Sequence, residues 1–79
     1  MDADDLIIGE ISKNENDVLR ISVRDWKGRK YIDIRKYFRN GKGHMIPTQS
    51  GITVGKKSID DLIIYLRGAR QALNGEKAF

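Results

Sequence analysis

The chain has 79 residues, with 15 Lys and Arg against 11 Asp and Glu, one histidine and no cysteine. That length fits one domain over 1–79, too small to bury much core alone, so oligomerisation is the economical route to stability. Disulfides, Cys-based zinc sites and cysteine nucleophiles are excluded, and a lone His44 excludes a His-rich metal cluster. In chain order, Leu6-Ile7-Ile8 with Glu10-Ile11 suits a first strand, and Asn14 to Asp17 is a polar turn cluster. Leu19 to Arg24 alternates apolar and polar residues, as a half-buried strand does. Lys27-Gly28 makes a turn, and Tyr31 to Phe38, rich in β-branched and aromatic residues, reads as the partner strand.

A two-residue Lys27-Gly28 turn fixes the register. Trp26 faces Arg29, and Asp25 faces Lys30 as a cross-strand ion pair. Val23 lies opposite Ile32 and Ile21 opposite Ile34, on one apolar face. Arg24 opposes Tyr31, Ser22 opposes Asp33 and Arg20 opposes Arg35 on the other. A slip by one residue would put the isoleucines in water, so this register is well specified. Arg39 to Gly43 forms a second turn. His44-Met45-Ile46 resumes an extended segment, Pro47 marks a bend or edge position, and Gly51 to Val54 is a further short strand.

A helix follows. Ser58 is the expected N-cap, with Asp60 and Asp61 in the first turn. Ile59, Leu62, Ile63, Leu66, Ala69 and Leu73 recur at helical spacing, and Ile64 and Tyr65 widen the apolar surface beyond one stripe. Asn74-Gly75 ends the helix, and Glu76 to Phe79 reads as a frayed tail. Part of the helix surface can cover the sheet, and the rest needs a partner. Ile59, Leu62, Ile63, Leu66 and Leu73 are therefore expected at a homodimer interface. The whole reads as an α+β fold of four antiparallel strands and one C-terminal helix.

Charge is segregated. Residues 1–19 carry six acids and one lysine, whereas 20–42 carry nine Lys or Arg against Asp25 and Asp33. A contiguous basic segment is the footprint of a polyanion partner. No apolar run approaches a membrane span, and the acidic start lacks the basic flank and long apolar stretch of a signal peptide. The expected location is therefore intracellular, cytoplasmic or nucleoid-associated, with no membrane partner.

Arg20-Ile-Ser-Val-Arg-Asp-Trp-Lys-Gly-Arg29, followed by Tyr31-Ile-Asp-Ile-Arg-Lys-Tyr-Phe38, resembles the core of the Positive Cofactor 4 family. The S-V-R, K-G and D-I-R-x-Y elements keep the family's mutual spacing, and Met45-x-Pro47 and Gly51-Ile52 continue in order. The resemblance runs from Leu6 to Leu73. It implies a strongly curved four-stranded sheet with a C-terminal helix, dimerised so that concave sheet surfaces take single strands. It further implies Trp26 and Phe38 as base-stacking residues, Lys27, Arg29 and Arg35 as backbone contacts, and transcription or replication proteins as partners. Where the family often has basic residues before the Gly-Ile pair, this chain has Gln49-Ser50. Phosphate binding there is expected to be weaker, with Lys56 and Lys57 as partial replacements. The Ser- and Lys-rich N-terminal extension of animal members is not found here, which suggests a prokaryotic or phage-type minimal module rather than a eukaryotic coactivator.

Without the family, the polar hairpin face carries Arg20, Arg24, Arg35, Tyr31 and Tyr37, with Trp26 and Phe38 toward its ends. Basic grooves for phosphate and aromatic planes for bases are what single strands need. Each aromatic also has a packing reading, and Tyr31 and Tyr37 serve equally as cross-strand stiffeners. Asp33, among cations, reads as a salt-bridge partner, and His44 as a surface residue. No nucleophile–base–orienter set can be assembled, so no enzyme and no cofactor are expected. The function expected is single-stranded DNA binding of a coactivator-like kind. RNA is the alternative ligand, since stacking does not read the sugar. A module recruiting an acidic partner of the transcription machinery is the alternative from another class.

Overall fold

Residues 5–75 are described by the structure, a computed structural model. Four antiparallel strands, β1 Leu6–Ser12, β2 Asp17–Trp26, β3 Arg29–Arg39 and β4 Met45–Val54, pair in chain order, and helix α1 Ile59–Leu73 follows. This is the α+β architecture expected. The acidic start before Asp5 and the tail expected over Glu76 to Phe79 lie outside the described residues.

The β2–β3 hairpin has the register that the sequence predicts, from Trp26 opposite Arg29 to Arg20 opposite Arg35. Lys27 and Gly28 both take positive φ, 53° and 79°. Two successive left-handed residues give a turn whose twist matches the strands it joins. Asp25 supports it by accepting a hydrogen bond from Gly28 N at 3.1 Å. The expected Asp25–Lys30 ion pair does not form, although the two residues are in register. Asp25 is spent on the turn instead.

Alternation sends Arg20, Ser22, Arg24, Tyr31, Asp33, Arg35 and Tyr37 to one face and Ile21, Val23, Ile32 and Ile34 to the other. Two irregularities shape the outer strands. In β1, Ile7 pairs with Ser22 but Gly9 pairs with Ile21 and Glu10 with Arg20, which leaves Ile8 as the extra residue of a bulge. One extra residue reverses the side that later residues face, so Glu10 returns to the face of Ile7. In β4, Thr48, Gln49 and Ser50 together oppose Lys36, between the pairs Arg35–Gly51 and Tyr37–Pro47. The two separate extended pieces expected around Pro47 are thus one bulged strand. His44 precedes it, exposed in the turn rather than in a strand, with its N–H donating to Asn40 Oδ1 at 2.9 Å. Pro47 sits on an edge strand, where its missing N–H is tolerated.

The β4 bulge is pinned from β3. Arg35 Nη1 donates to the Thr48 carbonyl at 2.9 Å, and Thr48 Oγ1 donates to the Lys36 carbonyl at 2.7 Å. The same arginine holds Asp33, with Nη2 at 3.0 Å from Oδ1 and Nε at 3.2 Å from Oδ2. Asp33 is 1% exposed, so this fork neutralises a carboxylate removed from water, as its reading as a salt-bridge partner requires.

The helix starts after Ser58 as expected, with Asp60 and Asp61 in its first turn, but the Ser58 hydroxyl makes no capping hydrogen bond. Gly75, at φ 78°, closes the other end and donates to the Ala72 carbonyl at 3.1 Å. No residue of α1 is buried. Ile59 lies half-buried beside Val23, Ile32 and Val54, and Val54 is the single buried hydrophobic residue among those described. Of the helix residues expected at a dimer interface, Leu62 is half-buried, while Ile63, Leu66 and Leu73 are exposed. Leu6, Ile11 and Ile52, on the apolar face of the sheet, are exposed too.

A Cβ on Gly51 would lie 2.7 Å from Arg35 Cζ and 2.9 Å from the Ile34 carbonyl oxygen. A flexible side chain can yield, but this backbone oxygen belongs to the sheet. Gly51→Ala is expected to destabilise the fold by about 1–3 kcal/mol, the usual cost of overpacking. Urea unfolding checks this as a lower midpoint at constant slope. An unchanged midpoint would mean that β4 shifts freely.

Candidate nucleic-acid interface

The polar face encloses a concave pocket of about 310 Å³, lined by Asp5, Ile7, Arg20, Arg24, Tyr37 and Met45 among others. Register brings these residues together from β1, β2, β3 and β4. The Arg20 guanidinium lies 4.1 Å from the centre of the Tyr37 ring, and its Nε donates to Glu10 Oε2 at 2.6 Å. Arg24 Nε lies 3.2 Å from Asp5 Oδ2. Partial burial works against the Arg24 charge, but the anionic surroundings, led by the Asp5 carboxylate, lift the guanidinium pKa above its ordinary value. Arg35 is raised likewise, first through its hydrogen bond to Asp33.

The three arginines expected to meet nucleic acid on this face are therefore each matched to a carboxylate. Sequence reasoning anticipated Asp33 but missed Asp5 and Glu10, which lie 19 and 10 positions from their partners. A signal was present. An acidic first segment precedes a basic second one, and adjacent antiparallel strands bring opposite charges together.

Cations without a carboxylate partner among the described residues lie elsewhere. Lys27, Arg29, Lys30, Lys56 and Lys57 form no ion pair there. Arg29, Lys56 and Lys57 line, with Gly28 and Gly55, an open cleft of about 490 Å³ between the hairpin tip and the turn into α1. Lys56 and Lys57, read as substitutes for a missing basic loop, thus sit beside Arg29. Trp26 is the register partner of Arg29. It is 61% exposed, and Lys27 Nζ lies 4.6 Å from its ring centre.

Phe38 stands apart from the other candidate residues. It pairs with Asp17 and Ile46 on the face opposite Arg35 and Tyr37, at the far end of the hairpin. Nine residue steps along β3 separate it from the partner of Trp26, roughly 30 Å of strand. It is 38% exposed. The structure thus gathers Arg20, Arg24, Arg35 and Tyr37 on one face, with Trp26 at its end and Lys27 and Arg29 at the tip. Among the described residues, no helix is long and apolar enough to cross a membrane.

The family model for Transcriptional Coactivator p15 (PC4) matches residues 13–64. An RNA polymerase II transcriptional coactivator of Arabidopsis thaliana, KIWI, is 33% identical over 73 residues, which make up 91% of this chain and 63% of that protein. The crystal structure of a PC4 homolog from Burkholderia pseudomallei superposes with a TM-score of 0.81 at 27% identity, covering 90% of this chain and 96% of that one. A bacteriophage T5 homolog of PC4 shares the fold, with a TM-score of 0.67 at 20% identity over 92% of this chain and 83% of that one. A family model matching most of the chain, and the same sheet and helix in solved relatives, lead to one assignment: the chain belongs to the Transcriptional Coactivator p15 (PC4) family.

Proposed function

We propose that residues 1–79 act as one module that binds single-stranded DNA inside the cell, as a homodimer, in a coactivator-like role within transcription or replication. The observation that carries this reading is an exposed Trp26 against Lys27 and opposite Arg29, which shares a cleft with Lys56 and Lys57, and none of these cations is neutralised by a carboxylate among the described residues. An indole plane offers stacking to an unpaired base, and the cations offer phosphate contacts. A duplex has its base faces already stacked, so only the phosphate contacts remain to it. The name of the Arabidopsis relative, a transcriptional coactivator, supports the biological setting, and a family of coactivators supports a binding role rather than catalysis.

The homodimer is supported by what one chain leaves open. The exposed face of α1, with Ile63, Leu66 and Leu73, and the exposed apolar sheet face, with Ile11 and Ile52, need cover of the same character. A second copy supplies it, and no bilayer or unrelated partner is invoked.

Trp26 is the sole tryptophan, so its fluorescence reports one position. Oligo(dT) is expected to quench it, and Trp26→Ala to lose about 1–3 kcal/mol of binding while still folding. Equal affinity for single strand and duplex would remove the case for stacking, and preference for RNA would redirect it. Binding to an acidic protein without any affinity for oligonucleotides would favour a recruitment module instead.

Arg29→Ala is expected to flatten the dependence of affinity on salt by about 0.7 in log–log slope, the value for one phosphate neutralised on a single strand. A slope equal to that of the unmodified chain would return Arg29 to solvated surface.

Leu66→Glu places a charge on the face assigned to the second copy, and should abolish the dimer, with loss of the fold as well. Light scattering checks both: the unmodified chain should have twice the monomer mass. A folded monomer in dilute solution would overturn the dimer.

A further inference from the structure

Two of the arginines on the concave face are already engaged by the chain's own carboxylates. Glu10 stands directly opposite Arg20 in the β1–β2 ladder, in contact at 2.6 Å, and Asp5 meets Arg24 at 3.2 Å. These pairs differ from Asp33–Arg35. Asp33 is sealed from solvent at 1%, whereas each outer pair keeps one member open, Glu10 at 39% beside Arg20 at 13% and Arg24 at 33% beside Asp5 at 11%. A pair with one member open to water can be reached and displaced from solvent, which a carboxylate sealed like Asp33 cannot. Both pairs line the concave pocket, where Tyr37 supplies an aromatic plane. A phosphate that reaches Arg20 or Arg24 therefore meets a carboxylate in the place it would take.

We propose that Asp5 and Glu10 act as built-in competitors for phosphate, engaging Arg24 and Arg20 until a strand displaces them and so setting the affinity of the face. This rests on the single-strand reading above and adds the residues that tune it. A ligand that offers phosphates alone, such as a duplex, gains little from a guanidinium that must first leave its carboxylate. A single strand has its bases as well, so stacking carries a larger share of its binding. The carboxylates thus lower the affinity of either ligand, and stacking leaves the single strand with binding that a phosphate-only ligand lacks.

Glu10→Gln and Asp5→Asn, each close in shape to the native residue, separate charge from packing. Titration of the full chain with oligo(dT) and with a duplex of equal length, at several salt concentrations, reads the effect. Each variant is expected to bind oligo(dT) several-fold tighter, with a salt slope steeper by about 0.7 for the phosphate newly neutralised. Duplex affinity should rise by a comparable factor wherever a duplex phosphate meets the same arginine. Arg20→Gln should weaken binding more in the Glu10→Gln background than in the native one, since only there is Arg20 free. Binding of oligo(dT) by the unmodified chain tests the single-strand reading, and the difference between variant and unmodified chain tests the competition. Unchanged or weaker binding in folded variants would assign both carboxylates to sheet stability and overturn the proposal. Loss of the fold in both variants would overturn it in the same way. If neither the unmodified chain nor the variants bind, the reading and the proposal fall together.

Discussion

A charged carboxylate sits out of water in the middle of the polar face, and Arg35 is what allows it. The Asp33–Arg35 fork does more than neutralise a charge. Through the remaining guanidinium nitrogen it also takes up the Thr48 carbonyl, which the bulge in β4 has freed from the ladder. One side chain thereby joins the centre of β3 to the irregular part of β4. Gly51 is part of the same arrangement, because its missing Cβ leaves the space that the guanidinium occupies. Loss of binding after replacing Arg35 would thus report on the sheet as much as on any phosphate.

With a polar centre on one face, apolar stabilisation has to come from the other. One chain supplies little of it: the end of the sheet near Val54 is covered by the start of α1, and most of the apolar helix surface remains bare. For a chain of 79 residues, the proposed second copy would add a shared core to the little that one copy closes. In the proposed homodimer, folding and assembly would be one event.

The hairpin was legible in the sequence because two constraints agree there. Period-two alternation fixes which residues face inward, and a two-residue turn fixes their partners, so every pair from Trp26–Arg29 to Arg20–Arg35 follows. The helix was legible from its apolar spacing and from Asn74-Gly75 at its end. The bulges were not legible, since an extra residue leaves composition unchanged and shows only in what lies across the strand. That omission extends to the site. Without the bulge at Ile8, Glu10 would project from the other face, so its contact with Arg20 is invisible to simple alternation. Asp25 shows the converse: correct register does not guarantee an ion pair when a backbone N–H in the turn is nearer. Phe38 was grouped with Trp26 by chemistry, but parity along β3 puts it on the other face.

The two irregular strands, β1 and β4, are also the two outer strands. An outer strand exposes a row of backbone donors and acceptors on which another chain can add as a further strand. Leu6-Ile7-Ile8 is apolar enough to invite such growth. Here the row is uneven on both sides, by Ile8 in β1 and by Pro47 and the Thr48 to Ser50 bulge in β4. A straight incoming strand cannot keep its hydrogen bonds in step with either edge. The sheet can leave an apolar face open for one specific partner while both rims discourage open-ended, fibre-like stacking.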